Sequence, residues 1–203
     1  MTNRLLFSGA LSILLALVAC SSGSGEVPST SSSSSGSSSG GTGGLKAVVT
    51  SEAPAPPAGS KVALLWEVSA GSPDYIYAQS AGSLQASQVS LDAATPPAEA
   101  LNGGKLGVAY VTVLDAAATT TDGKIDNDTF KSRALAISPD HAVIYRASTE
   151  SAVKNGWDAD FPQGYSCGKC VRAETGFDKF VPVSCSEVRL VPMSAKPKVC
   201  NWT

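Results

Sequence analysis

The 203-residue chain predicts an all-β fold, an antiparallel β-sandwich over residues 61–203. Two observations carry this reading. Short stretches of alternating apolar and polar residues recur from residue 62 to residue 191, the period of a half-buried strand. Turn signals separate them every 8–14 residues, the rhythm of a sandwich or barrel. A domain of this length buries roughly two thirds of its unfolded surface, enough for one core.

The elements follow in order. Leu45 to Ser51 is either a first edge strand or more linker. Val62 to Val68 alternates, with Leu64, Trp66 and Val68 on one face and Glu67 on the other. Gly71-Ser72-Pro73-Asp74 is a turn before Tyr75-Ile76-Tyr77, and Val89 and Leu91 continue the pattern. Leu106 to Leu114 is apolar on nearly both faces, as a central strand would be. Ala134–Ile137 and Ala142–Ala147 flank a hairpin turn at Ser138-Pro139-Asp140-His141, and strands follow at Tyr165–Arg172, Phe177–Val183 and Glu187–Val191. Two short helices are expected, Pro96–Leu101 before Asn102-Gly103 and Thr149–Lys154 before Asn155-Gly156. Such a sandwich resembles immunoglobulin-like or transthyretin-like modules, although the Cys…Trp…Cys spacing of true immunoglobulin domains is missing.

The N-terminus carries an address. Met1 to Arg4 is a brief basic start, and Leu5 to Val18 is a mostly apolar run, interrupted by Ser8 and Ser12. Its length of about 14 residues suits the apolar region of a secretory signal and falls short of a spanning helix. Leu17-Val18-Ala19-Cys20 ends the run and resembles the lipobox of bacterial lipoproteins. That resemblance implies a signal peptide over 1–19, a diacylglyceryl thioether on Cys20 and acylation of its freed amine. Two or more lipid chains give stable membrane anchoring, at about 0.8 kcal/mol per buried methylene. Ser21, in place of an Asp, resembles the pattern of outer-membrane lipoproteins. The expected location is thus the bacterial cell envelope, with the domain on the periplasmic or surface face.

Residues 20–60 read as a lipidated cysteine and a linker. The 24 residues from Ser21 to Gly44 include 12 Ser and 7 Gly. They hold too little apolar surface to offset the entropy of ordering, and as a flexible coil span about 25–30 Å. Pro54, Pro56 and Pro57 stiffen the rest. The formal charge is −2; cleavage ahead of Cys20 removes Arg4 and leaves 14 basic against 17 acidic residues, or −3. With no basic patch, nucleic acid is excluded as a partner.

Five cysteines are an odd count, and lipid on Cys20 removes the oddity. Cys167, Cys170, Cys185 and Cys200 then form two disulfides in an oxidising envelope, with long loops favouring cross-pairing over Cys167–Cys170. Three other uses of these residues are weaker. The residues after Cys167-Gly168-Lys169-Cys170 read as strand and turn, unlike the helix a redox pair needs. A zinc site lacks a second close pair, because Cys185 and Cys200 lie 15 apart. Covalent haem needs a His where Val171 stands.

No active-site signature appears, so the domain reads as a binding or structural interaction module, not an enzyme, with no cofactor or metal. His141 sits in a turn beside Asp140, without the G-x-S-x-G elbow of a hydrolase. Ser151-Ala152-Val153-Lys154 matches S-x-x-K but lacks its K-T-G companion. Asp122-Gly123-Lys124-Ile125-Asp126-Asn127-Asp128 is a calcium candidate that departs from the EF-hand order and otherwise reads as a polar turn. Trp157 reads first as an aromatic capping the end of the core. With Asp158 and Asp160, and Tyr165 beyond, it forms the alternative, an aromatic platform beside acids, which is how a carbohydrate-binding module grips a sugar. An envelope enzyme with His141 or the Asp158/Asp160 pair lining a pocket is a third reading. The partner classes are therefore the membrane through the lipid, and an envelope protein or a glycan through the domain.

Overall fold

The strand Leu106–Leu114, β5 below, is buried along all nine residues, and the rest of the sheet is arranged around it. The computed structural model describes residues 44–202 apart from 68–74, 86, 102, 104, 151–154 and 175. Cys20, the Ser/Gly tract through Gly43, Val68, the Gly71–Asp74 turn and the Ser151–Lys154 motif lie outside the described residues.

The strands are β1 (Leu45–Ser51), β2 (Lys61–Trp66), β3 (Tyr75–Gln85), β4 (Gln88–Ala93), β5 (Leu106–Leu114) and β6 (Lys124–Asp126). After one helix, α1 (Asn127–Arg133), come β7 (Ala134–Ile137), β8 (His141–Arg146), β9 (Gly164–Val171), β10 (Lys179–Val183) and β11 (Arg189–Pro192). Seven of them close into a barrel in the order β5-β2-β3-β4-β1-β11-β7 and back to β5. This replaces the expected sandwich. The alternation of side chains is the same in both architectures, and what separates them is closure. Two pairings complete the ring: β7 with β5, and the parallel pair β1 with β11 at Thr50–Arg189 and Ser51–Leu190. β1 is thus a barrel strand between β4 and β11, and the folded unit takes in residues ahead of 61.

β5 forks. Its first half, Leu106–Ala109, pairs with β8, and Thr112–Leu114 pairs with β7. β8, β9 and β10 continue outward as a lateral sheet. At the fork Val111 has neither strand beside it. Ser138 serves it instead: Val111 N–H donates to Ser138 Oγ at 2.9 Å, and Ser138 N–H donates to Val111 O at 2.9 Å. The Ser138 hydroxyl donates in turn to His141 O at 3.0 Å.

The fork explains the doubly apolar strands. Val62, Leu64, Trp66, Ala109, Val111 and Val113 face the barrel interior with residues from every other barrel strand. The opposite face of β5 covers two outer cores. Leu106, Val108 and Tyr110 pack with Trp157, Phe161, Phe180 and Trp202, while Leu114 packs with Ala63, Leu65 and Ile125. Gly82 marks a corner: it pairs with Val62 at a bulge and with Leu91 on the other side. Its φ is +140°, and a Cβ there would sit 1.8 Å from Ser90 O, so only glycine fits.

Of the two expected helices, Thr149–Lys154 lies mostly outside the described residues. Pro96–Leu101 yields a single 3-10 turn, Ala98–Ala100. The α-helix forms instead from the polar loop, because Asp126 caps it by accepting from the N–H groups of Asp128 and Thr129 at 3.1 and 2.8 Å.

Ser138→Ala leaves the Val111 N–H buried without an acceptor and is expected to lower stability by about 1–3 kcal/mol. Urea unfolding measures it, with the exposed Ser132→Ala as a reference that stays within about 0.5 kcal/mol of the unmodified chain.

Candidate functional site

β9 carries Cys167 and Cys170 three positions apart, so they point to opposite faces of the strand. Each reaches a different partner. Cys167 bonds Cys185, in the 3-10 turn Cys185–Glu187, and Cys170 bonds Cys200 in the C-terminal segment. With these four sulfurs paired, the described residues hold no free thiolate for zinc. Asp178 Oδ lies within 4.8 Å of the sulfurs of Cys170 and Cys200. Its carboxylate is already engaged by Arg172 at 2.8 Å and by the N–H groups of Ala173 and Asn201. These bonds, the backbone ones first, hold it below the usual carboxylate range.

The aromatic platform suggested at Trp157 is not on the surface. Trp157 is 3% exposed and packs edge-on against Phe161, Phe180 and Trp202 at centroid distances of 5.5–5.7 Å. Asp158 is 1% exposed, Asp160 is exposed, and Tyr165 is buried with its hydroxyl on Ala94 O. The 3-10 turn Trp157–Asp160 turns its indole inward because it closes the end of the outer core. A sugar cannot stack on a buried indole, so a carbohydrate-binding role for Trp157, Asp158 and Asp160 loses its geometry. His141 is buried on β8, its Nδ1 2.9 Å from Asp140 Oδ1.

The calcium candidate is also dispersed. Asp126 is spent on capping α1 and held below its ordinary range, chiefly by the Thr129 hydroxyl. Asp128 is exposed, 3.9 Å from Lys131. Among the described residues, no three of these carboxylates converge on one point.

What the loop does build is the wall of a cleft. Asp122 and Gly123 have φ of 52° and 73°, both positive, as a two-residue hairpin turn requires. Thr121 and Lys124 close that turn with reciprocal hydrogen bonds of 3.0 and 2.9 Å. Lys124 is the cross-strand partner of Tyr77 on β3, and its Nζ stands 5.4 Å from the Tyr77 ring centroid. Glu99, presented by the Ala98–Ala100 turn, stands beside the Tyr77 hydroxyl. Its own backbone N–H and that phenol hold Glu99 below the ordinary range, while burial and then Glu99 push Tyr77 up. Gln79 is a fixed wall: its Oε1 accepts from Trp66 Nε1 at 2.9 Å and its amide donates to Ala94 O and Thr95 O. Ser80 and Thr120 add exposed hydroxyls around a volume of about 590 Å³. A second groove, about 320 Å³ and mostly apolar, runs between Pro54, Pro56, Val113, Leu135 and Met193.

Glu67 is the acid that sequence reasoning missed. It follows β2, its N–H donates to Val108 O at 2.9 Å, and its carboxyl is flanked by the Trp202 indole and the Tyr110 hydroxyl. Burial raises it from 4.5 to about 7, against the smaller, opposing effect of the indole and the phenol beside it. Burial and then the Glu67 charge push Tyr110 up in turn. Alternation alone places Glu67 on the outward face of β2. The return of Trp202, 135 positions later, leaves it half-buried.

No protein-family model matches this chain, and neither a curated protein nor a solved structure resembles it.

Between pH 4.5 and 7 folded Glu67 keeps a proton that the unfolded chain has released, so its contribution falls as pH rises through that window. Glu67→Gln is expected to remove a loss of roughly 2–3 kcal/mol between pH 5 and pH 8, read by urea unfolding at both values.

Proposed function

We propose that this protein is a lipid-anchored bacterial envelope protein whose disulfide-stapled barrel is a binding module, with the Tyr77–Glu99–Asp122–Lys124 cleft as its binding face. Cysteine arithmetic carries the anchoring half of this reading. Four of the five cysteines pair as Cys167–Cys185 and Cys170–Cys200, and the fifth, Cys20, ends Leu17-Val18-Ala19-Cys20. Two disulfides suit an exported domain, and a Ser/Gly tract of about 25–30 Å suits a tether between lipid and domain. Ser21 favours the outer membrane.

The cleft carries the binding half. It gathers a phenol, two carboxylates, an ammonium group and two exposed hydroxyls around one concavity, the mixture of polar groups that orients a ligand. His141, Asp158 and Asp160 do not line it, which favours binding over turnover by those residues. An envelope protein or a glycan remains the partner class.

Mass spectrometry of the native product is expected to show a mature chain beginning at Cys20 with a diacylglyceryl group and an N-acyl chain. Cys20→Ala is expected to leave the protein without that lipid mass. An unmodified, soluble native polypeptide would overturn the anchoring.

A further inference from the structure

We infer that the cleft formed by Tyr77, Glu99, Asp122 and Lys124 takes an amino sugar, a saccharide unit carrying a free ammonium group. The inference rests on that cleft being the binding face, and it names the ligand class.

Charge comes first. Glu99 and Asp122 bring two carboxylates against the single ammonium of Lys124. Lys124 is already engaged, over the Tyr77 ring at 5.4 Å and beside its hydroxyl. The lining is therefore one negative charge in excess, which repels phosphates and carboxylates and attracts a monocation. Asp122 lines the cleft from a two-residue turn with two positive φ values, which sets its backbone there.

Shape and hydrogen bonding come next. Tyr77 is 5% exposed, so it offers no stacking face. Ser80 and Thr120 expose hydroxyls that donate and accept, and the Gln79 amide is fully spent on Trp66, Ala94 and Thr95. Pro97 and Ala78 add apolar wall between these polar groups. A ligand recognised here needs several hydroxyls and one cation within one ring's breadth. An amino sugar has both, whereas a polyamine has charge without hydroxyls and a neutral sugar the reverse. A metal ion is disfavoured because, among the described residues, Glu99 and Asp122 belong to no cluster of three ligand atoms.

Titration calorimetry on the full-length chain tests this with three probes: a β-1,4-linked glucosamine tetramer, its N-acetylated counterpart, and spermidine. The glucosamine tetramer is expected to bind. Glu99→Gln should weaken it at least tenfold, since a hydrogen bond to a charged group is lost. Asp122→Asn should weaken it less, and Asp160→Asn, an exposed acid elsewhere, should leave it unchanged. Both other probes should bind at least tenfold more weakly. Glu99 is exposed, and an unchanged thermal midpoint of Glu99→Gln confirms that the fold is intact. Equal binding of the N-acetylated tetramer, or equal binding of spermidine, overturns the assignment; if Glu99→Gln abolishes that binding, the cleft still stands as the binding face. No binding of any probe, or binding indifferent to Glu99→Gln, overturns the ligand class. Lipidation of Cys20, read separately by mass, is unaffected by any of these results.

Discussion

A strand has two hydrogen-bonding edges, and β5 is asked to serve three neighbours. It meets β2 along one edge and divides the other between β8 and β7. The division is possible because Ser138, in the short connection between β7 and β8, takes over the backbone of Val111 where the two strands diverge. Its hydroxyl accepts from one strand and donates to the other, so no buried amide is orphaned. From this point the barrel closes on one side and the lateral sheet opens on the other. Trp66, Tyr165 and the two disulfides all take their places from it.

Parity along β9 governs the second half of the molecule. Cys167 looks toward the barrel core and Cys170 toward the outer one, so one strand is stapled on both faces. Cys200 then brings the C-terminal segment across, where Tyr110 donates to Cys200 O and Arg172 donates to Lys198 O and Val199 O. Trp202 completes the outer core against Trp157. That arrangement leaves Glu67 in a place where charge is costly, between an indole and a phenol.

Closure removes the free edges that invite pairing with another chain. The outermost strand of the lateral sheet, β10, has Pro182 within it, which withdraws one backbone donor from its ladder. The cleft uses the same economy. Its walls are a two-residue turn, a cross-strand pair and one 3-10 turn, all local devices fastened to the barrel.

Local chemistry was legible in the residues. The strand positions at 106–114, 134–137 and 142–147, the Asp122-Gly123 turn and the inward face of Leu64 and Trp66 follow from alternation and turn preference, which act over a few residues. The lipobox-like ending at Cys20 and the pairing off of four later cysteines are likewise matters of order and number. Tertiary structure alone decided closure, because the β1–β11 pairing joins segments about 140 positions apart and period two is identical in a sandwich and a barrel. It also decided that Trp157 is core and not platform, and that Asp126 caps a helix. The cleft and the burial of Glu67 were beyond reach for the same reason. Each depends on a distant segment arriving, Glu99 beside Tyr77 and Trp202 beside Glu67, and side-chain alternation along one strand carries no information about what will cover it.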